Sequence, residues 1–181
     1  MLKKMRGFTL IELLIVVAII GILAALLIPN ALSAIQKAKQ KGTMKDINSI
    51  ATAMTDFITD NGTSPLHSAE IVPGDQLYID LSGFYLKVLP VNDQWGSPFL
   101  VYGQSAAVMS AGYGGITESA DDEFIIASRG RDKIDTPFTF NPMDPTTVYF
   151  PITGLQSFNL DLVNWSGSWI HAPKSAQLSN T

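Results

Sequence analysis

The sequence predicts an α+β protein. A long N-terminal α-helix, with its lower half transmembrane and its upper half amphipathic, packs on a small antiparallel β-sheet domain. Three observations carry this expectation. From Phe8 to Ile28 the 21 residues hold a single charge, Glu12, and at about 1.5 Å of rise per residue they span about 32 Å as a helix, enough to cross a bilayer. Ile47, Ile50, Ala51, Met54, Phe57 and Ile58 then recur at i, i+3, i+4, i+7, i+10 and i+11, one stripe of a 3.6-residue helix. Beyond residue 92, short apolar runs alternate with Gly and Pro, the pattern of short strands joined by local turns.

Taken in order, the chain divides into a basic leader (1–7), a transmembrane helix (8–29), its amphipathic continuation (30–60) and a C-terminal globular domain (61–181). Pro29 lacks an N–H and crowds the preceding turn, which predicts a kink or local melting around Ala25 to Pro29. Gly42 is a second weak point. Asn61-Gly62, followed by Pro65, supplies a helix stop. Residues 63–92 read as a loop with a helical turn at Leu81 to Val88. Strands are predicted at Phe99 to Tyr102, Ala107 to Ser110, Phe124 to Ser128, Thr147 to Ile152 and Phe158 to Val163. The tail from Lys174 to Thr181 reads as frayed, and the aromatic stretch before it (Tyr149, Phe150, Phe158, Trp165, Trp169) as core or as a partner surface.

Composition excludes several functions. Twelve cations against 16 acids give a net charge of −4, and the excess acid lies beyond residue 60. No nucleic-acid partner is expected, since that needs clustered Lys and Arg. The chain has no cysteine, which removes disulfides, thiol chemistry and Cys-type zinc sites. No hydrolase elbow, metalloprotease helix or phosphate loop is present. His67 and His171 are too isolated to read as a dyad, and Asp121-Asp122-Glu123 reads as a solvated turn. No enzyme is expected. Glu12 stands apart, because a carboxylate within hydrocarbon is costly and calls for a partner.

The run Lys4-Met5-Arg6-Gly7-Phe8-Thr9-Leu10-Ile11-Glu12 resembles the class III leader of type IV pilins and type II secretion pseudopilins. The resemblance implies a prepilin peptidase that cuts between Gly7 and Phe8 and methylates the new Phe8 amine. It implies pairing of Glu12 with the Phe8 amine of a neighbouring copy, and loosening of Gly21 to Pro29 on leaving the bilayer. Removal of residues 1–7 takes away three cations, so the mature charge would be (12 − 3) − 16 = −7. Asp93-Gln94-Trp95-Gly96-Ser97-Pro98 is similar to the Asp-Pro-Trp-Gly-x-Pro turn of major pseudopilins, with Gln94 in place of a proline.

Phe124 to Asp132 is similar to the strand that opens their calcium loop. This implies calcium ligands at Asp132 and Asp135, although Arg129, Arg131 and Lys133 crowd the segment and no cofactor is required. The function implied is a major pseudopilin: a helical homopolymer that assists protein export. The alternative is a type IV pilin for adhesion, motility or DNA uptake. Partners implied are further copies of the chain, the peptidase, an inner-membrane assembly platform, minor pseudopilins and, before assembly, the membrane itself. The topology implied is a single pass through the inner membrane with a cytoplasmic N-terminus and the 61–181 domain outside the cytoplasm, then a fibre in the periplasm or at the cell surface, with the 8–29 helix forming its core.

Overall fold

The computed structural model of the protein describes residues 8–174. The chain divides into two compact units, Met1–Gln36 and Lys37–Thr181. Helix α1 (Leu10–Asn61) begins in the first and ends in the second.

In the first unit every large apolar side chain from Leu10 to Ile35 is exposed. The most apolar 18-residue stretch of α1 has a mean hydropathy of 3.1, and α1 is long and apolar enough to cross a membrane. Pro29 lies inside α1; its missing N–H leaves the Ala25 carbonyl without the usual helical donor.

In the second unit α1 acquires an inside. Gln40, Thr43, Ile47, Ile50, Ala51, Ala53 and Met54 are buried; of the predicted stripe, Ile47, Ile50, Ala51 and Met54 are among them, and Phe57 and Ile58 are partly buried against the same core. The helix ends where Asn61-Gly62 was expected to stop it, with the Gly62 N–H donating to the Ile58 carbonyl at 2.7 Å.

The sheet contains β1 (His67–Glu70), β2 (Leu100–Gly103), β3 (Phe124–Ser128), β4 (Tyr149–Phe150), β5 (Leu162–Trp165) and β6 (Ser168–Pro173). Their spatial order is β1-β2-β3-β5-β6-β4. All neighbours are antiparallel except β4 and β6. The register opposes Val101 to Ile126 and Ile126 to Asn164. One face, with Val101, Phe124, Ile126 and Leu162, meets Ile47, Ile50 and Met54 of α1. The other, with Leu100, Ile125, Ala127, Val163 and Ile170, lies under Val108, Tyr113, Phe138 and Phe140. Strand β3 is therefore buried along its whole length.

Several predicted elements are corrected. Ala107 to Ser110 is helical, part of α3 (Ser105–Ser110); a short apolar run fits either element, and alanine favours helix. The helical turn placed at Leu81 to Val88 lies earlier, as α2 (Gln76–Leu81). Asp75 caps it, accepting from the Tyr78 N–H at 2.7 Å. Thr147 to Ile152 shrinks to β4 behind a 3₁₀ turn at Pro145–Thr147. Phe158 to Val163 begins as a 3₁₀ turn (Leu155–Asn159) and becomes strand at Leu162. Strand β1, in a stretch read as loop, forms one margin of the sheet, and β6, in the aromatic stretch before the tail, joins β5 to β4.

Candidate functional site

The N-terminal segment is built by a capping box. The Thr9 N–H and hydroxyl both donate to Glu12 Oε2, at 2.9 and 2.8 Å, and the Glu12 N–H donates back to Thr9 Oγ1 at 3.3 Å. A threonine followed three residues later by a glutamate satisfies helix N-terminal donors reciprocally. Glu12 thus starts α1, a role the sequence reading missed although Thr-x-x-Glu was in view. Among the described residues Glu12 Oε1 accepts no hydrogen bond. Phe8 is 76% exposed, and Gly7 lies outside the described residues.

The turn after residue 92 is a hub. Asp93 is buried, and its Oδ1 accepts from the Trp95 and Ser97 N–H groups, both at 2.9 Å. Its Oδ2 accepts from the Ser128 hydroxyl at 2.7 Å, which ties the turn to β3. Gln94 ties it to α1: its N–H donates to Thr43 Oγ1 at 3.2 Å and its Nε2 to Asp46 Oδ2 at 2.8 Å. A Cβ on Gly42 would lie 2.9 Å from Gln94 Cγ. Gly42 is therefore the opening through which Gln94 reaches the helix.

The loop following β3 is held by Arg129, which bonds Glu70 of β1 through its NH1 and Asp135 Oδ1 through its Nε, the latter at 2.8 Å. The Glu70 carboxylate keeps this guanidinium protonated well above any physiological pH. Asp132 Oδ1 accepts from the Ile134 N–H at 3.2 Å, closing its own turn. Gly130 adopts a left-handed φ of 68° against the Leu160 and Phe158 carbonyls. Among the described residues no group of three or more His or acidic side chains is placed to hold a metal ion. Calcium takes six to eight oxygens; here one oxygen of Asp135 is held by Arg129 and one of Asp132 by the Ile134 N–H.

Beside it lies a group without a signal in the sequence. Asp161 is fully buried; Oδ2 accepts from the Thr136 N–H at 3.1 Å, and Oδ1 has no partner among the described residues. Burial, assisted by Asp135 and Asp132 and opposed by the Thr136 hydrogen bonds, pushes its carboxyl up to about 7. His171 Nδ1 lies 2.6 Å from the Asp161 carbonyl, its ring stacked on Phe138 at 4.4 Å. Burial lowers the His171 pKa, so the ring is neutral.

These described features concern the helix start and the joining of helix to sheet. Comparison with known proteins gives the family. Residues 2–28 match the prokaryotic N-terminal methylation motif. A type II secretion system core protein G of Klebsiella pneumoniae is 31% identical over 134 residues, covering 67% of this chain and 94% of the relative. The chain belongs to the type II secretion system core protein G family. The core protein G of Escherichia coli K12 is 33% identical over 131 residues, 66% of this chain and 89% of the relative. That of Vibrio cholerae is 36% identical over 109 residues, 54% and 73% respectively. No solved structure matches the chain. As a member of the core protein G family, the chain keeps the long apolar helix on a small, mostly antiparallel sheet, and Gln94 gives its turn a hydrogen bond that a proline could not donate.

Proposed function

We propose that the chain is the major structural subunit of a helical, pilus-like fibre that assists protein export in a type II secretion-type system. The observation that carries this reading is the match to a core protein G over nearly that relative's full length. The subunit starts as a single-pass inner-membrane protein, N-terminus cytoplasmic. The prepilin peptidase cuts between Gly7 and Phe8 and methylates the Phe8 amine. The exposed apolar side chains from Leu10 to Ile28 first meet lipid and later neighbouring helices. Assembly takes place with the inner-membrane platform and minor pseudopilins, and Pro29 is where the helix loosens during transfer.

In the fibre, Glu12 neutralises the Phe8 amine of a neighbouring copy. Support comes from Glu12 Oε1, which has no bond among the described residues while Oε2 serves the cap. One carboxylate can hold its own helix start and a second subunit's cation together.

Intact-mass measurement of the membrane and fibre forms tests the processing step. The expected product lacks Met1 to Gly7 and carries one extra methyl; an uncut, monomeric product overturns the reading. Glu12→Leu is expected to process normally yet form no fibres, and normal fibre yield would end the amine-pairing account.

A further inference from the structure

We propose that the exposed face of α1 above residue 36 is a second contact between copies. Lysines of one copy's Lys37, Lys41, Lys45 row enter a notch on another copy lined by Asp56, Asp60, Phe84 and Tyr85. This rests on the fibre reading and adds to it a surface wholly within the second unit.

The row comes first. Residues 37–45 hold four lysines and no acid. Lys37, Lys41 and Lys45 are exposed at i, i+4 and i+8, a spacing at which like charges repel along a helix. The opposite charge recurs further up the same solvent face. Asp56 and Asp60 are exposed, again four residues apart. They approach the end of α1, whose last turn has no basic residue, and there the helix dipole disfavours carboxylates. The Arg129–Glu70 and Arg129–Asp135 ion pairs and the 3.9 Å His67–Asp75 contact all lie elsewhere. Neither charge group has an ion-pair partner among the described residues.

The notch has room for a lysine side chain. It has a volume of about 330 Å³ and is lined by Asp56, Thr59, Asp60, Phe84 and Tyr85. Tyr85 donates its hydroxyl to Asp60 Oδ2 at 3.0 Å, which fixes that carboxylate. Phe84 is 81% exposed and meets Tyr85 edge-on at 4.8 Å. An ammonium group can sit between the carboxylates while its methylene stem covers the aromatic rings. A parallel copy displaced by 15 residues, about 22 Å, sets Lys41 against Asp56 and Lys45 against Asp60. A displacement of 19 residues, about 28 Å, sets Lys37 against Asp56 and Lys41 against Asp60.

The absence of native cysteine makes the test direct. Full-length Lys45→Cys/Asp60→Cys and Lys41→Cys/Asp60→Cys chains are assembled and oxidised. At least one pair is expected to give a disulfide-linked ladder of dimers and higher oligomers that no single variant gives. Fibres without a ladder from both pairs, or cross-links only to a different protein, overturn this contact and leave the fibre reading standing. Wild-type chain that forms no fibre overturns both. Should the cysteine pairs fail to assemble, charge reversal decides. Asp56→Lys/Asp60→Lys is expected to abolish fibres and added Lys41→Asp/Lys45→Asp to restore them; unchanged yield or failed restoration overturns the contact.

Discussion

Helix α1 presents two surfaces made by different rules. From Leu10 to Ile35 its large apolar side chains point outward in every direction; from Gln40 to Met54 only one face is apolar, and that face is buried in a core shared with the sheet and with Leu77 and Leu81 of α2. The same backbone geometry therefore serves two solvents. The lower part requires lipid or other helices to be stable, whereas the upper part brings its own partner. An anchor can be exchanged between environments because it is bound to none of them within the subunit.

The sharpest way to break this comparison is to shorten one isoleucine in each part. In detergent-solubilised chain, Ile50→Ala is expected to destabilise the second unit by about 2–5 kcal/mol, from lost burial plus a cavity. Ile20→Ala should leave its unfolding transition unchanged, because Ile20 touches none of that core. Thermal denaturation followed by near-UV circular dichroism reads both.

Gly42→Ala sharpens the upper part. The added methyl meets Gln94 Cγ at 2.9 Å, and overpacking of about 1–3 kcal/mol is offset by about 1 kcal/mol of helix propensity. A modest loss in Tm follows, together with loss of the Gln94–Asp46 bond. An increase in Tm would show that Gly42 serves no close approach.

Asp161→Asn is a smaller and pH-dependent effect. The Asp161 pKa of about 7 lies above its ordinary 3.8, so between these values the fold keeps a proton that the unfolded chain has released. Its stability contribution is complete below about 4 and lost as pH rises through 7. The variant should therefore be more stable than wild type at pH 8, by roughly 1–2 kcal/mol, and should show little gain at pH 4. His171 acts in the opposite sense: neutral in the fold, it contributes stability that is lost as pH falls below its ordinary 6.5. Denaturant titrations across pH 4–8 separate the two, and an equal gain at every pH would remove Asp161 as the titrating group.

The smallest expected effect is none at all. Arg129 already bridges Glu70 and Asp135, so addition of calcium or EGTA should leave the Tm of wild type unchanged. A calcium-dependent rise would return Asp132 and Asp135 to the role that the resemblance implied.

The long helix and its buried stripe were legible because a 3.6-residue period over many turns leaves little ambiguity. Strand β3 was legible because it is apolar throughout and bounded by turn residues. Shorter elements were lost where their signal is tertiary. His67 to Glu70 is polar and becomes a strand only by pairing with β2, and the 3₁₀ turn at Leu155–Asn159 hid behind apolar residues that fit a strand equally well. At the candidate site, Gly7, Phe8 and Glu12 stood out because a basic-to-apolar junction and a lone intramembrane acid are visible without coordinates. Gln94 and Asp161 did not stand out. One acts across a gap to Thr43 and Asp46, the other through burial beneath a loop distant in sequence.

The two margins of the sheet carry a final consequence. β1 is four residues long and carries His67 and Glu70, whereas β4 is only two residues long and is followed at once by Pro151. On the far side β4 covers only Ala172 and Pro173 of β6, so each margin, β1 on one side and Ser168 to His171 on the other, is a short row. Short, charged or proline-limited borders resist edge-to-edge fusion into amyloid-like stacks. In the fibre proposed above each subunit is crowded against identical neighbours, and such borders leave association to side chains and helices.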